Sequence, residues 1–399
     1  MQKIIIEKPY VPVPPYRGRV WPHVLSWILP RVLRKQFGVT SVECVNVERL
    51  SDSIKAGHGV LLAPNHSRVE DPLIMGKLSR EVGTPFFVMA SWHAFKQDFF
   101  QAFLLRRAGA FSVYREGIDR VAVNTAVEIL HTAERPLVIF PEGMISRAND
   151  RINHLLDGTG LIARAAAKKR AKDNPPGKVV VHPLALRYRL KGNIDASATK
   201  LMDELETRLT WRKQSQLTLL QRVQKVAWAL LMLKEQEYLG DAQTGDAATR
   251  LARLQDAILR PLEDEWVGGR HDLDAVSRVK RLRLAIVPDM AAGELSESER
   301  ARRWKHLEDA YLVIQLWNYP PDYVADNPTP ERIMETIERF EEDLTDRCRV
   351  HGEISATMTV GTAIEVNPSR ESRDAGDPLL VEIETQLATM LGLKPAQAL

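Results

Sequence analysis

Apolar and polar positions follow two different rhythms between residues 58 and 195. Short, fully apolar runs that are typical of buried strands occupy Val60–Ala63, Pro85–Ala90, Leu137–Phe140 and Val179–Leu186. Between these runs, apolar residues recur at helical spacing in Pro72–Leu78, Gly117–His131 and Gly158–Lys172. Strands that are apolar on both faces must be covered on both faces. The pattern therefore predicts an α/β fold with a mixed, mostly parallel central sheet flanked by helices.

The pattern changes after residue 195. Residues 196–349 are almost entirely helical in character, with breaks near Gly240–Gly245, Trp266–Gly269, Pro288–Gly293 and Tyr319–Pro330. Thr357–Val366 then returns to strand composition, and a helix is predicted from Pro378 to Leu391. Because a lone strand needs a sheet to join, we predict one α/β domain from residues 38–195 plus 350–399, with 196–349 as a large all-helical insertion. No internal repeat is apparent in the sequence.

Residues 1–37 form a separate leading segment. A proline-rich stretch, Pro9–Arg19, precedes helical spacing over Val20–Phe37, which Pro30 is expected to kink or divide. The stretch Lys8–Val42 carries six lysine and arginine side chains and no acidic one, and its helix contains two tryptophans. A basic amphipathic helix of this kind is typical of a membrane-contact segment. Packing of the same apolar face on the domain is an equally weighted alternative.

Charge is divided unequally along the chain. Residues 1–195 hold 29 Lys/Arg against 17 Asp/Glu, whereas the rest holds 26 against 35, so the net charge of +3 hides a basic first half. Anionic lipid and phosphate-bearing ligands are the expected partners, because no nucleic-acid-binding signature is present. The two cysteines are far apart, and no apolar run is long enough to cross a bilayer. We expect a cytoplasmic protein that is peripherally associated with the inner face of the membrane.

The segment Ala63–Pro72 carries the first candidate chemistry. A strand ends, a polar turn presents His66, and Asp71 follows five positions later at a predicted helix N-cap with Pro72 behind it. A carboxylate on one ring nitrogen fixes the tautomer and leaves the other nitrogen free to accept a proton. An attacking hydroxyl needs such a base, because almost none of it is ionised at neutral pH.

The His-x4-Asp spacing is not specific by itself. His93 and Asp98 satisfy it too, but no strand and turn precede them and no proline follows the aspartate. We interpret His93 as part of a helix or its entry. The alternative for His66 and Asp71 is a surface histidine near an ordinary capped helix.

Three further segments favour the catalytic interpretation of His66 and Asp71. They are Gly109–Arg115, Phe140–Arg147 with its Pro-Glu-Gly turn, and Val179–Leu186 with a proline inside a strand. In this order, after His66 and Asp71, they resemble the four sequence blocks of the glycerolipid acyltransferase superfamily, which includes lysophosphatidic acid acyltransferases. The strand Val360–Val366 is similar to the last strand of that family. The match covers roughly residues 40–195.

The resemblance implies a reaction and a role for each motif residue. A fatty acyl group would pass from acyl-CoA or acyl-ACP to the hydroxyl of a lysophospholipid, such as 1-acylglycerol-3-phosphate, in phospholipid biosynthesis, with no metal or redox cofactor. His66 would be the general base and Asp71 its orienting partner. Arg115 would bind the acceptor's phosphate, and Glu142 and Gly143 would shape the acceptor site beside backbone donors for the oxyanion. His182 and Pro183 would help to wall the acyl channel.

Each role has a structural alternative. Arg115 could be solvated or paired with a neighbouring acid, Glu142 could brace its own turn, and His182 could be a satisfied histidine at a strand irregularity. The helix after the third block carries cations at Arg164, Lys168, Lys169, Arg170 and Lys172. They could receive coenzyme A phosphates or form a solvated face.

The third block departs from the family's common form. Where many members have Thr-Arg-Ser after the glycine, this chain has Met144-Ile145-Ser146, so Arg147 is the nearest substitute for the phosphate-binding arginine. The departure leaves larger lysophospholipids or another hydroxyl-bearing lipid open as acceptors. A thioesterase-like hydrolase and a non-catalytic lipid-binding scaffold are the rival functions.

Overall fold

A computed structural model describes residues 9–269, 273–369 and 377–393. Its strands are β1 Val39–Val45, β2 Gly59–Pro64, β3 Phe87–Ser91, β4 Ala110–Val113, β5 Leu137–Val138, β6 Val179–Lys191, β7 Glu353–Val360 and β8 Ile364–Glu365. Its helices are α1 Val20–Phe37, α2 Val47–Lys55, α3 Asp71–Glu81, α4 Phe99–Arg107, α5 Arg120–Thr132, α6 Asp157–Arg170, α7 Asp195–Arg208, α8 Leu219–Leu239, α9 Ala247–Trp266, α10 Ala275–Ala292, α11 Glu297–Trp317, α12 Asp322–Ala325, α13 Pro330–Thr345 and α14 Pro378–Leu391.

The strands form one mostly parallel sheet in the order β1-β7-β6-β2-β5-β3-β4, with β8 pairing to β6. Parallel neighbours β2, β5, β3 and β4 all end at the same edge of the sheet, where the loops that follow them meet. The predicted α/β class, with a mostly parallel sheet flanked by helices, is confirmed.

Each face of the sheet is buried under its own helices. Successive residues of β2 point to opposite faces, so Leu61 lies in one hydrophobic core and Leu62 in the other. The Leu61 core includes side chains of α5, α6 and α14, and the Leu62 core includes side chains of α1, α2 and α3. This double burial explains why the strands are apolar without alternation.

The predicted closing strand joins the same sheet as two pieces. β7 pairs in parallel with β1 and antiparallel with β6, and β8 pairs antiparallel with β6.

Contacts divide the chain into two compact units. One includes Val11–Arg115, Asp119–Gly192 and the described residues from Val350 onward, and the other includes Asn193–Arg349 and the short segment Glu116–Ile118.

Several elements differ from the sequence prediction. β1, α2 and α4 were not predicted, because most of β1 is half-buried or exposed and α2 and α4 are only nine residues long. α1 continues through Pro30 without dividing. α10 continues through Pro288 and ends at Ala292 with Gly293 as its C-cap, so the break predicted near Pro288–Gly293 lies at the glycine end of that range. Asp71 is the first residue of α3 and Glu70 is its N-cap, so the predicted cap is off by one residue.

The helical unit contains a recurrence that the sequence analysis did not find. Three buried arginines, 28 residues apart, each stand four positions after a helix N-cap. Each donates through Nε and Nη2 to a buried glutamate of the preceding helix at 2.5–2.9 Å, in the pairs Arg222–Glu206, Arg250–Glu235 and Arg278–Glu263. Consecutive helices from α7 to α10 are therefore joined by the same bidentate ion pair.

Candidate active site

The loop after β2 is held by a side chain that takes the place of backbone pairing. β2 pairs with β6 up to Pro64 opposite Leu184. Asn65, the next residue, accepts the Leu186 N–H at 2.7 Å and donates to the Leu186 carbonyl at 3.0 Å. The amide completes the hydrogen bonds of β6 while the main chain turns away, so His66 leaves the sheet at a defined point.

His66 and Asp71 meet at the end of this loop. His66 Nδ1 lies 2.8 Å from Asp71 Oδ2, and the same oxygen accepts the Arg68 N–H at 2.9 Å. The Asp71 side chain is fully buried, whereas that of His66 is 15% exposed. When the Nδ1–H of His66 donates to the Asp71 carboxylate, Nε2 is the proton acceptor, and no described residue hydrogen-bonds Nε2. The chain between His66 and Asp71 folds back, as a contact between residues five positions apart requires.

A tyrosine from a distant strand fixes the second oxygen of Asp71. The Tyr188 hydroxyl, at the far end of β6, donates to Asp71 Oδ1 at 2.5 Å. Burial and then the neighbouring Asp71 raise the pKa of Tyr188 well above its ordinary value, so the phenol keeps its proton and donates it. Both carboxylate oxygens therefore have donors, which holds the plane of the carboxylate against the imidazole.

Asn149 holds the backbone of Tyr188 as Asn65 holds that of Leu186. Asn149 accepts the Tyr188 N–H and donates to the Tyr188 carbonyl, both at 2.9 Å. Two asparagines thus extend the pairing of β6 beyond the end of β2. The guanidinium carbon of Arg68 lies 5.4 Å from the centre of the Tyr188 ring and covers its face.

Phe140 and Glu142 support His66 from the loop after β5. The Phe140 and His66 rings are stacked, with centroids 4.1 Å apart and planes at 30°. The buried Glu142 carboxyl accepts the His66 N–H at 2.7 Å and the Asn153 N–H at 2.9 Å. Burial raises the pKa of Glu142 to about 8, against the opposing effect of these two N–H donors. Glu142 therefore braces the two neighbouring segments that contain His66 and Asn153, whereas the structural alternative predicted a brace of its own turn.

Gly143 and Arg115 lie together beside this brace. Gly143 has a φ of +67°, and a Cβ at this position would lie 2.4 Å from Leu156 Cδ1 and 4.0 Å from Arg115 Nη2. The guanidinium of Arg115 is therefore next to the turn that carries Glu142. Arg115 is exposed and lies two residues after the end of β4. Its position allows contact with an anionic ligand at the edge where the strands end.

Arg147 closes the same turn. The preceding Ser146 donates its N–H to the His66 carbonyl at 2.7 Å. Arg147 is half-buried and has a left-handed φ of +58°, a conformation that is costly for a residue with a Cβ. The structure thus brings the turn of Arg147 to the His66 loop.

The other sequence candidates have structural partners. His182 is buried, its Nδ1 lies 2.9 Å from the Gly361 carbonyl, and its Nε2 lies 2.9 Å from Ser53 Oγ. Burial lowers the pKa of His182, so it is a neutral, satisfied histidine. His93 is buried in a single helical turn, Trp92–Phe95, as predicted for a helix entry.

The predicted cationic helix is α6, and its side chains have divided roles. Arg164 pairs through both terminal nitrogens with Asp377. Arg170 is buried and donates to the carbonyls of Gly57 and His131. Lys168, Lys169 and Lys172 are exposed. Of these five cations, the exposed Lys168 and Lys169 of α6, and Lys172 just beyond its end, are placed to receive a phosphate from solution.

Sequence reasoning missed Tyr188, Asn149 and Phe140 as parts of the site. Tyr188 lies an even number of positions after the buried Leu184 and Leu186, so strand periodicity could have placed it on their face. Nothing local marks its contact with Asp71, which is 117 residues away. The buried side chains of Ser67 and Asn153 make no hydrogen bond within the described residues, which leaves polar groups beside the dyad.

The arrangement can remove a proton. An imidazole with an oriented carboxylate on Nδ1 and an acceptor at Nε2 is a general base for a hydroxyl or water. Cationic side chains near by can hold an anionic group of the molecule that carries the hydroxyl.

Among the described residues, no helix combines the length and the hydropathy that a membrane crossing requires.

Comparison with known proteins adds one match. Residues 42–187 match the family model described as Acyltransferase, which confirms the resemblance drawn from the motifs. The matched range contains the His66 loop, the Glu142 turn and most of β6. No curated protein matches the chain.

Proposed function

We propose that this chain, whose residues 42–187 match the acyltransferase family model, moves a fatty acyl group from an acyl thioester to the hydroxyl of a lysophospholipid-like acceptor. The contact between His66 Nδ1 and Asp71 Oδ2 carries this proposal. Acyltransferase activity follows from the family. The donor, acyl-CoA or acyl-ACP, and the acceptor, 1-acylglycerol-3-phosphate or a larger lysophospholipid, belong to the proposal, as does a role in phospholipid biosynthesis.

His66 Nε2 takes the proton from the acceptor hydroxyl as its oxygen attacks the thioester carbonyl. The C–O bond forms, the carbonyl electrons move onto oxygen, and the tetrahedral intermediate collapses with cleavage of the C–S bond. The thiolate leaves and takes up the proton from His66. Asp71 stabilises the imidazolium between these steps, and Tyr188 and the Arg68 N–H hold Asp71 in place.

Arg115 and Arg147 bind the acceptor's phosphate in this proposal, while Glu142 and Gly143 shape the turn between them. The proximity of Arg115 to Gly143 supports the arrangement, because it places a guanidinium beside the turn that braces His66. Acceptors with a phosphate group should therefore be preferred over neutral ones.

The same proposal includes a cytoplasmic protein peripherally attached to the membrane, since both acyl acceptor and product are lipids. Residues 1–37 would supply the contact. Residues 38–195 plus 350–399 would form the acyltransferase domain, and 196–349 would be an insertion into it.

An acceptor panel with labelled acyl-CoA and acyl-ACP, resolved by mass, tests the reaction. We expect an acyl-lysophospholipid product from the intact protein and none from His66→Ala at an unchanged melting temperature. His93→Ala is the matched control, because His93 has the same spacing to an aspartate but lies outside the dyad. Near-full turnover by His66→Ala would contradict the assignment of His66 as the general base.

The product distribution separates the rival functions. Free fatty acid that forms at the same rate with and without acceptor would identify a hydrolase, in which water replaces the hydroxyl. Lipid binding without turnover on any acceptor would identify a scaffold.

A further inference from the structure

Helix α1 is apolar on the side that faces solvent as well as on the side that packs. Its buried residues are Pro22, Ser26 and Leu33. A second stripe at spacings of four, three and one residues is exposed: Val20 71%, Val24 45%, Trp27 72% and Ile28 48%. A helix that only covers its domain would carry polar residues on that stripe.

Helix α4 adds aromatic residues to the same surface. None of its nine residues is buried, and Phe99 and Phe100 are 88% and 64% exposed. One turn later, Phe103 meets Trp21 of α1 edge to face, with ring centroids 5.6 Å apart. The two helices are therefore in contact, and we name their exposed apolar residues the α1–α4 face: Val20, Val24, Trp27, Ile28, Phe99 and Phe100. Six large apolar side chains exposed on two touching helices indicate a contact with a protein or a membrane.

The charge around the α1–α4 face selects between these occupants. Neither helix contains an acidic residue, and their last turns carry Arg34 and Lys35 on α1 and Arg106 and Arg107 on α4. Asp98, the N-cap of α4, accepts the Gln101 N–H and is outnumbered by the four cations of these last turns. Two copies of such a face would repel each other, whereas anionic lipid headgroups attract it.

We propose that the α1–α4 face docks on an anionic bilayer surface, with Phe99 and Phe100 entering the interface beside Trp27. The inference rests on the proposed function, because a lipid acceptor has to be taken from a membrane. It adds α4, an element that the leading segment of residues 1–37 does not include.

The α1–α4 face is linked to the dyad through α3. The guanidinium carbon of Arg80, near the end of α3, lies 4.8 Å from the centre of the Trp27 ring. A Cβ on Gly76, in the middle of α3, would lie 2.4 Å from Leu29 Cδ1, so α1 lies directly on this helix. Asp71 begins α3, and the nine residues to Arg80 span about 14 Å at the helical rise. Docking would thus bring the dyad within about one helix length of the lipid.

Vesicle binding tests the inference without any need for turnover. The probes are phosphatidylcholine vesicles with and without about a third of phosphatidylglycerol, assayed by flotation at fixed salt. We expect Phe99→Ser/Phe100→Ser to lower the partition constant about tenfold or more, and Trp27→Ser to lower it in the same direction. Val381→Ser, which changes a residue of α14 that is 55% exposed, is the matched control and should bind like the parent protein.

Two results would overturn the inference. One is unchanged vesicle binding by Phe99→Ser/Phe100→Ser. The other is a concentration-dependent dimer in sedimentation velocity that the same double variant abolishes, since the occupant would then be a second copy of the chain. Melting temperatures should match, because the substituted side chains are exposed. Vesicle binding by a protein that transfers no acyl group would leave this inference standing and remove the proposed function.

Discussion

Replacing Tyr188 with phenylalanine tests whether the dyad depends on its distant support. The substitution removes one hydroxyl, which donates to Asp71 Oδ1 at 2.5 Å, and keeps the buried ring. A hydrogen bond to a buried charged group contributes about 1.5–3 kcal/mol, so the free energy of unfolding should fall by roughly that amount. The carboxylate would keep the Arg68 N–H and His66 on Oδ2 alone, and its plane would no longer be fixed.

Because Tyr188 acts through Asp71 and touches no reacting atom, its loss should appear in kcat and not in KM. If imidazolium stabilisation loses half of that hydrogen-bond energy, about 0.75–1.5 kcal/mol, kcat falls about four- to thirteenfold. Steady-state kinetics with saturating acyl-CoA and varied lysophospholipid would measure both parameters, and chemical denaturation would measure stability.

Tyr238→Phe is the matched control for this prediction. Its hydroxyl also donates to an aspartate, Asp309 Oδ1, at 2.6 Å, but it lies in the helical unit. It should lose stability while keeping kcat. The reasoning is refuted if Tyr188→Phe retains kcat within about twofold, or if Tyr238→Phe loses as much kcat as Tyr188→Phe does.

Three further outcomes follow from the structure. Glu142 has a pKa of about 8 when folded against 4.5 in its unperturbed state, so it keeps a proton that the unfolded chain has lost, and stability should fall as pH rises between these values. Urea denaturation of Glu142→Gln should show a weaker fall, and an unchanged slope would contradict the assignment. Gly143→Ala should lower the melting temperature and kcat, because its φ of +67° is strained for alanine and the new Cβ meets Leu156 Cδ1; normal kinetics would show that the turn adapts. Arg278→Ala should destabilise the helical unit by about 3–5 kcal/mol by leaving the Glu263 charge buried, which calorimetry would detect as an earlier unfolding transition.

Two alternatives were left open for the leading segment: membrane contact, or packing of its apolar face on the domain. Helix α1 has both buried and exposed apolar residues. Some apolar residues of this helix pack on the domain, as Leu33 does in the core beneath the sheet, while Trp27 and Val24 remain exposed. Helical spacing alone could not distinguish the two stripes, because both are apolar and the period of 3.6 residues serves either. The membrane contact itself stays a proposal.

The sequence by itself determined the features that depend on neighbouring residues. Apolar runs without alternation indicated strands buried on both faces, and β2, β3, β5 and β6 lie where those runs are. The segment from His66 to Pro72 also contained most of its own geometry, since the turn and the start of α3 together bring Asp71 to the imidazole. Local spacing was sufficient because only five residues separate the partners.

Tertiary structure alone decided what holds that pair and what surrounds it. Tyr188 and Asn149 reach the dyad because β6 lies beside β2, and Glu142 reaches the His66 N–H because β5 is the other neighbour of β2. Strand order is set by long-range pairing that no single segment encodes. Likewise, the Arg–Glu pairs recur with a period that is visible only once consecutive helices such as α9 and α10 are packed together. Contacts between distant segments depend on the packing of the whole core, which residue spacing does not specify.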